Sequence, residues 1–255
     1  MRINAVSFNI RCVDDENGNS IKERAPRLFT VIKPYDADVI GFQEYTPFWE
    51  DSIDRFFCDK YEFFHKYRTD TGWIESAPIL WKKEKFDCLR RGCFWFSDTP
   101  EVMSGGWDDE KHNRICLYVI LKDKKSGETF AFMNTHLGFG EENQVKSVRL
   151  IHQYMEKLSS YPTFITGDFN MTPSSRPYAE MVTKVADVNE LTVRDRRSTY
   201  HGYNPQNDFE EHIDYCFINK DIHPIAFEII DALVENKFPS DHYGIFAELE
   251  MKEIV

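Results

Sequence analysis

The sequence lacks a long apolar segment and any closely spaced pair of cysteines, and each absence excludes a class of protein. No stretch near its start is apolar enough for a signal peptide or a membrane span, so we expect a cytoplasmic protein that does not enter a membrane. The six cysteines are scattered without a C-x-x-C pair, which argues against a disulfide framework or a zinc site. We interpret them as reduced residues of the core.

Positive charge is also scarce, because 31 lysine and arginine residues face 43 aspartate and glutamate residues, for a net charge of −12. Proteins that bind nucleic acid without sequence preference rely on clustered positive charge, so this class is disfavoured. A nuclease is not excluded, since bound divalent ions change the local field of a site. The charge favours a small or single-stranded substrate over duplex DNA.

Apolar residues, by contrast, are plentiful: 42% of the chain is hydrophobic, with 21 phenylalanines and 5 tryptophans among its 255 residues. This composition is sufficient for a large core. Sandwich and α/β folds often reach about 200 to 250 residues without dividing, so we predict a single domain over residues 1–255.

The most informative stretch is Phe164–Asn170, an apolar run that stops at a glycine and then carries an acid and an amide two residues apart. The apolar part predicts a short buried strand. Because strand side chains alternate between faces, Asp168 and Asn170 are expected to point the same way. Taken alone, the stretch also fits an Asx turn with one solvated acid.

Other predicted strands end in polar residues as well. Short strands, several joined as hairpins, with amphipathic helices between some of them, predict two packed sheets covered by helices. The most regular helical pattern covers residues 144–158. The strands that carry polar groups at or near an end are predicted over Ile3–Ile10, Asp38–Glu44, Ala77–Trp81, Ile115–Leu121, Thr129–Met133, Ile213–Ile218 and Tyr243–Leu249.

The polar residues at these ends have the chemistry of a phosphate site. Glu44 and Asp168 offer the hard carboxylate oxygens that suit magnesium or manganese. His136 and His242 titrate near neutrality and suit proton transfer or phosphate binding. Each residue also has a plain alternative, a solvated loop acid or a core histidine, and only their joint occurrence at strand ends favours a site.

The order of these motifs resembles that of the endonuclease/exonuclease/phosphatase superfamily over nearly the whole chain. The motifs that carry the resemblance are Ser7-Phe8-Asn9, Gly41-Phe42-Gln43-Glu44, Asn134-Thr135-His136-Leu137, Thr166-Gly167-Asp168-Phe169-Asn170, Ile213-Asp214-Tyr215 and Pro239-Ser240-Asp241-His242.

The resemblance implies an α/β (α+β) fold, a four-layer α/β sandwich with two mixed β-sheets flanked by helices, and a divalent-metal phosphoesterase site. The implied catalytic residues are His136, Asp168, Asn170, Asp241 and His242. The implied substrate- or phosphate-binding residues are Asn9, Glu75, Arg114, Asn134 and Asp214. The implied ligands of a magnesium or manganese ion are Glu44, Asn9 and Asp241.

The resemblance also implies contacts between these residues. Asp241 would form an orienting pair with the adjacent His242, and His136 would pair with Glu75, as its analogue does in pancreatic-type deoxyribonucleases. Asp168 would position the attacking water.

Within the superfamily, residues 167–175 and 239–242 are most similar to the deadenylase-like branch, and Gly106-Trp107-Asp108 is similar to uncharacterised microbial members.

The expected activity is metal-dependent phosphoester hydrolysis, by a phosphodiesterase (nuclease) or a phosphatase. The expected partner is a phosphorylated small molecule or a short single-stranded nucleic acid, with no obligate protein partner. The alternatives are a catalytically silent protein that binds a phosphorylated ligand, or a sugar- or inositol-phosphate phosphatase.

Overall fold

The computed structural model describes residues 1–107, 112–206 and 212–252. Asp108, part of one of the motifs above, lies outside these residues. Within them the strands form two six-stranded sheets. The first sheet consists, in spatial order, of β11 (Ile222–Ile230), β12 (Gly244–Met251), β1 (Arg2–Asn9), β2 (Val39–Gln43), β4 (Ile79–Lys82) and β3 (Tyr61–Phe64).

The second sheet has the same number of strands and the same mixed character. In spatial order it consists of β5 (Phe86–Trp95), β6 (Ile115–Asp123), β7 (Thr129–His136), β8 (Thr163–Asp168), β10 (Asp214–Ile218) and β9 (Ala186–Asp187). In each sheet one neighbouring pair is parallel, β1 with β2 and β7 with β8, and the other pairs are antiparallel.

Helices cover the outer face of each sheet, and together with the sheets they complete the four-layer sandwich. The helices are α1 (Ile21–Ile32), α2 (Glu50–Phe57), α3 (Glu141–Lys157), α4 (Arg176–Met181) and α5 (Val188–Leu191). One apolar cluster lies between the sheets, a second joins the second sheet to α3 and α4, and a third joins the first sheet to α1 and α2. The fold class expected from the sequence is therefore confirmed.

Strand alternation explains why the space between the sheets changes character along its length. In β1, Ile3 and Ala5 face the second sheet, while Val6 and Phe8 face α1 and α2. By the same alternation, Asn9 at the end of β1 faces the second sheet. The inner faces of β2, β7 and β8 likewise pass from large apolar residues to small or polar ones, so the two sheets enclose a polar region at one end.

The secondary-structure predictions differ from the structure in several places. The helix predicted over 144–158 begins earlier, at Glu141. The sequence patterns over 82–91 and 94–100 predict two strands, but Phe86–Trp95 form one continuous strand, β5, whose bulge between Cys88 and Arg90 breaks the regular alternation. Strand β11 was not predicted. Among the described residues, no helix is both long and apolar enough to span a membrane.

Asn134 corrects one functional prediction, because it joins the sheets rather than binding substrate. Its side chain is fully buried, and its Nδ2 donates to the carbonyl oxygens of Phe42 (2.7 Å) and Pro78 (3.0 Å). Its Oδ1 accepts from Gln43 Nε2 at 2.8 Å and from Thr166 Oγ1 at 3.0 Å. The amide thus has no capacity left for a ligand.

This close contact requires the glycine of β2 that faces it. A Cβ atom added at Gly41 would lie 2.4 Å from Asn134 Oδ1 and 2.7 Å from Thr166 Oγ1. Even an alanine at this position would therefore push the sheets apart where their polar ends meet.

We expect Asn134→Ala to lower the free energy of unfolding by at least about 2 kcal/mol, because each buried donor left without a partner costs roughly 1–3 kcal/mol. Urea unfolding followed by circular dichroism measures the change. Gln153→Ala, on the exposed face of α3, is the control and should have little effect. Equal midpoints for the two variants would contradict the bridging role.

Candidate active site

The polar end of the sandwich opens into a cleft of about 510 Å³. Strands β1, β2, β7, β8 and β10 end beside it, so residues far apart in sequence share its walls. The predicted site residues that line it are Glu44, Glu75, Arg114, His136, Asp168, Asn170, Asp241 and His242. Three predicted residues, Asn9, Asn134 and Asp214, are buried behind the lining.

Asn9 connects the carboxylates at the ends of the two sheets. Its Nδ2 lies 3.1 Å from Glu44 Oε1 and 3.0 Å from Asp168 Oδ2, and its Oδ1 accepts from the Arg11 backbone N–H at 3.0 Å. Since the residue is fully buried and both of its amide N–H groups are engaged, Asn9 positions Glu44 and Asp168. Its contact with a phosphate or a metal stays a prediction.

His242 is oriented by Asp214, and not by its neighbour in sequence. His242 Nδ1 lies 3.0 Å from Asp214 Oδ2, and its Nε2 lies 3.8 Å from Asp168 Oδ2. Asp241 instead accepts from Ser240 Oγ at 3.2 Å and lies 3.7 Å from Arg11 Nε. The expected Asp241–His242 pair is therefore wrong, because successive residues direct their side chains to different sides of the backbone.

Charged neighbours and burial shift the pKa of both His242 and Asp168. Burial disfavours a charged His242, but Asp214, Asp168 and Asp241 outweigh it and raise the pKa of His242 to about 10. Burial, together with the negative charge of Asp214, raises the pKa of Asp168 to about 7. The site thus holds an imidazolium beside a carboxyl group that binds a proton near neutral pH.

His136 has the opposite character. Burial, and then the cationic side chains of Arg114 and Arg68, lower its pKa well below the usual value, so the ring is neutral. Its Nε2 lies 3.1 Å from Asn170 Nδ2 and 3.5 Å from Asp168 Oδ2. The ring therefore helps to position the amide of Asn170.

The predicted His136–Glu75 pair does not form. Glu75 lies 3.1 Å from Arg68 Nη1 in a buried ion pair, and His136 Nδ1 has no hydrogen-bond partner among the described residues. Arg68 is the better partner for Glu75, because it brings a full positive charge to the buried carboxylate. Burial raises the pKa of Glu75, and the charge of Arg68 opposes this rise only in part.

Arg114 is the cation best placed for an anionic ligand. It lines the cleft, and its Nε and Nη1 are buried without a hydrogen-bond partner in the part of the chain that the structure describes. Buried N–H groups are rarely left unpaired, so these two atoms suit the oxygens of a phosphoryl group.

The acids of the cleft suit a divalent cation. Burial, and then the nearby negative charge of Glu44, raise the pKa of Asp241, so the ionised form of this carboxyl group is disfavoured without a further cation. Glu44 stays ionised, because hydrogen bonds from Cys12 and Asn9 overcome its burial and lower its pKa. A bound Mg²⁺ or Mn²⁺ would relieve this repulsion.

A second group with suitable spacing for a metal is Asp168, Asp214 and His242, whose candidate ligand atoms lie within 4.8 Å of one another. We regard this group as the weaker metal site, because a charged imidazole carries a proton on both ring nitrogens and cannot bind a cation. Glu44 and Asp241 are the better candidates.

The backbone takes a left-handed conformation just after three of the strands that form the site. Arg11 (φ 61°), Glu44 (φ 61°) and Asn170 (φ 49°) follow the ends of β1, β2 and β8. Such a conformation costs roughly 1–2 kcal/mol in a residue other than glycine. Asn170 therefore reaches the cleft through this turn, and not through the strand alternation expected from the sequence.

Sequence reasoning missed several residues of the cleft, among them Arg11 and Phe139. Arg11 lies two residues after Asn9, the last residue of β1. Its position just beyond a strand that ends in a candidate site residue could have identified it. Tyr200 reaches the cleft through an isolated backbone bridge to His242, and the two ring centroids lie 5.0 Å apart.

Comparisons with known proteins agree with this architecture. A family model described as the Endonuclease/Exonuclease/phosphatase family matches residues 6–242. An endonuclease/exonuclease/phosphatase from Bacteroides vulgatus is 29% identical, with a TM-score of 0.90 over 99% of this chain and 100% of its own. The mannosyl-6-phosphatase of Bacteroides thetaiotaomicron is 27% identical, with a TM-score of 0.87 over 98% of this chain and 100% of its own.

A further match covers a smaller part of the chain. An uncharacterized protein of Acanthamoeba polyphaga mimivirus is 29% identical over 157 residues, which are 58% of this chain. The match covers 59% of the viral protein, so the two chains share only part of their lengths.

Proposed function

The chain belongs to the endonuclease/exonuclease/phosphatase family, and from this premise we propose that it is a divalent-metal-dependent hydrolase of phosphate esters. The observation that carries the proposal is the pair of Asp168 and His242 at the floor of the cleft, with Asp214 behind it on His242 Nδ1. A carboxylate beside an imidazolium suits hydrolysis, because the first accepts a proton and the second stabilises negative charge.

Asp168 accepts the proton of the attacking water. A pKa of about 7 suits this step, because a base is most effective when its pKa lies near the working pH. Both of its oxygens are held in place: Oδ2 accepts from Asn9 Nδ2 at 3.0 Å and Oδ1 accepts from the Asn170 backbone N–H at 3.0 Å.

His242 and Arg114 hold the phosphoryl group. His242 stays charged beside Asp214 and cannot take a second proton, so its role is to stabilise the negative charge that develops on the phosphoryl oxygens. Arg114 offers two buried N–H groups without protein partners among the described residues to the same oxygens.

Glu44 and Asp241 would hold the metal ion, which, when bound, lowers the pKa of a water molecule and neutralises charge on the phosphoryl group. Arg11 limits the charge at Asp241, from which its Nε lies 3.7 Å.

We infer a small phosphorylated substrate, with a phosphorylated sugar as the first candidate. A cleft of about 510 Å³ is in the usual range for small-molecule sites, and the net charge of −12 disfavours long nucleic acids. The similarity to a mannosyl-6-phosphatase over the full length of that chain supports a sugar phosphate. A short single-stranded nucleic acid is the second candidate.

The proposal predicts that metal-free protein hydrolyses neither a hexose 6-phosphate nor a generic phosphodiester, and that added Mg²⁺ or Mn²⁺ restores turnover of at least one of them. Phosphate release, with bis-nitrophenyl phosphate as the diester, measures this. Ca²⁺ is the control for a merely structural ion effect. Full activity after exhaustive chelation would refute the metal-dependent mechanism.

The alternative of a catalytically silent binding protein has its own outcome. Calorimetric binding of a phosphorylated ligand at saturating metal, without any phosphate release from the whole substrate set, would favour it over an enzyme.

A further inference from the structure

The mouth of the cleft carries an exposed phenylalanine above a polar floor. Phe139 lines the cleft, yet 65% of its surface is exposed. The ring belongs to none of the three apolar clusters that the described residues form. Removing apolar surface from water is favourable, so an exposed ring at this position retains a capacity for binding.

The position of Phe139 is fixed by its neighbours. Its carbonyl oxygen accepts from Asn143 Nδ2 at 3.0 Å, in the first turn of α3. Gln144 Nε2 donates to the carbonyl oxygens of Gly138 (3.0 Å) and Asn170 (2.6 Å). The same side chain therefore holds both the backbone before Phe139 and the backbone of a cleft residue.

The other aromatic ring of the lining is already engaged. Tyr200 packs edge-on against His242, with ring centroids 5.0 Å apart. A substrate whose phosphoryl group rests near His242 and Arg114 would therefore find the open aromatic surface at Phe139.

We propose that Phe139 is a specificity-determining residue on which the leaving group of the substrate rests, and that this leaving group is a ring with an apolar face. The inference rests on the proposed function, because it assumes that the phosphoryl group occupies the floor. Sugars and nucleosides share this chemistry, since the C–H face of a pyranose and the face of a nucleobase both pack on aromatic rings.

The test compares esters with and without a ring. We expect Phe139→Ala to raise KM for a hexose 6-phosphate or a nucleoside 5′-monophosphate by about tenfold to a hundredfold, the scale of one stacking contact. Its kcat for these esters, and its kcat/KM for glycerol phosphate, should change by no more than about twofold. Phe139→Trp should restore the low KM.

The matched control is Phe48→Ala, which removes a phenylalanine that is 77% exposed but does not line the cleft. It should leave KM and kcat unchanged for all three esters. The substrate whose KM responds to Phe139→Ala identifies the ring as a sugar or a nucleobase. An equal fall in kcat/KM of Phe139→Ala for glycerol phosphate and for the ring esters, or no fall for any of the three, would overturn the proposal.

Binding separates this inference from the proposed function. Calorimetry of the same three esters with metal-free protein needs no turnover. If a ring ester binds more tightly than glycerol phosphate, and Phe139→Ala abolishes this difference, the proposed role of Phe139 is supported even if the protein hydrolyses none of the esters. If the affinities of the ring esters are the same in the wild-type protein and in Phe139→Ala, the proposed role of Phe139 is refuted even if hydrolysis is observed.

Discussion

Replacing Asp168 with asparagine is expected to lower kcat by about 10² to 10⁴, the scale of losing a general base or a transition-state contact. The substitution keeps the shape of the side chain while removing its ability to accept a proton from water. It also removes a negative charge that faces His242 Nε2 at 3.8 Å. Steady-state phosphate release at saturating substrate and metal measures the loss.

The fold should survive this change. Asp168 is buried and, together with Asp214, forms a pair of acids whose mutual repulsion raises its pKa, so a neutral amide does not add unfavourable charge. Asp87→Asn, on the exposed side of β5, is the matched control with the same chemical change outside the cleft. Unchanged turnover in a folded Asp168→Asn protein would exclude Asp168 as the base.

Replacing Asp214 with asparagine is expected to lower kcat by a similar factor of about 10² to 10⁴, because an amide cannot hold a charged imidazole in the same orientation. Asp214 lies 3.0 Å from His242 Nδ1 and does not line the cleft, so it acts through the histidine. Because the contact with substrate is made by other groups, kcat should fall more than KM rises.

Asp241→Asn separates this role from that of a metal ligand. If Asp241 holds the metal, its loss should raise the metal concentration needed for half-maximal activity, whereas Asp214→Asn should leave that concentration nearly unchanged. The reverse pattern, with the larger kcat loss at saturating metal in Asp241→Asn, would restore the pair of adjacent residues expected from the sequence.

Much of the fold could be predicted because it depends on local periodicity. The alternation in the sequence of β1 places Val6 and Phe8 on one face and Asn9 on the other, and the structure confirms both faces. The helical spacing after Gln144 identified α3. In β5, the prediction differs from the structure in a strand whose alternation is interrupted by a bulge.

The candidate site was predicted as a set of residues but not as a set of contacts. Eight predicted residues were brought together because strands that end in polar side chains meet at one end of the sandwich. Their partners differ from the expectation: His242 contacts Asp214, Glu75 contacts Arg68, and Asn134 bridges the sheets. A pairwise contact depends on the register of strands distant in sequence, which no local pattern encodes.

The sequence by itself determined the fold class, the order of the strands that carry polar ends and the chemical types at those ends, because periodicity and residue chemistry are local properties. Only the tertiary structure decided which of these residues face a ligand and which hold other residues in place. Asn9 and Asn134 have the same side chain as Asn170, yet burial between the sheets commits both to protein contacts. Asn170 reaches the cleft because its left-handed backbone turns it out of the strand.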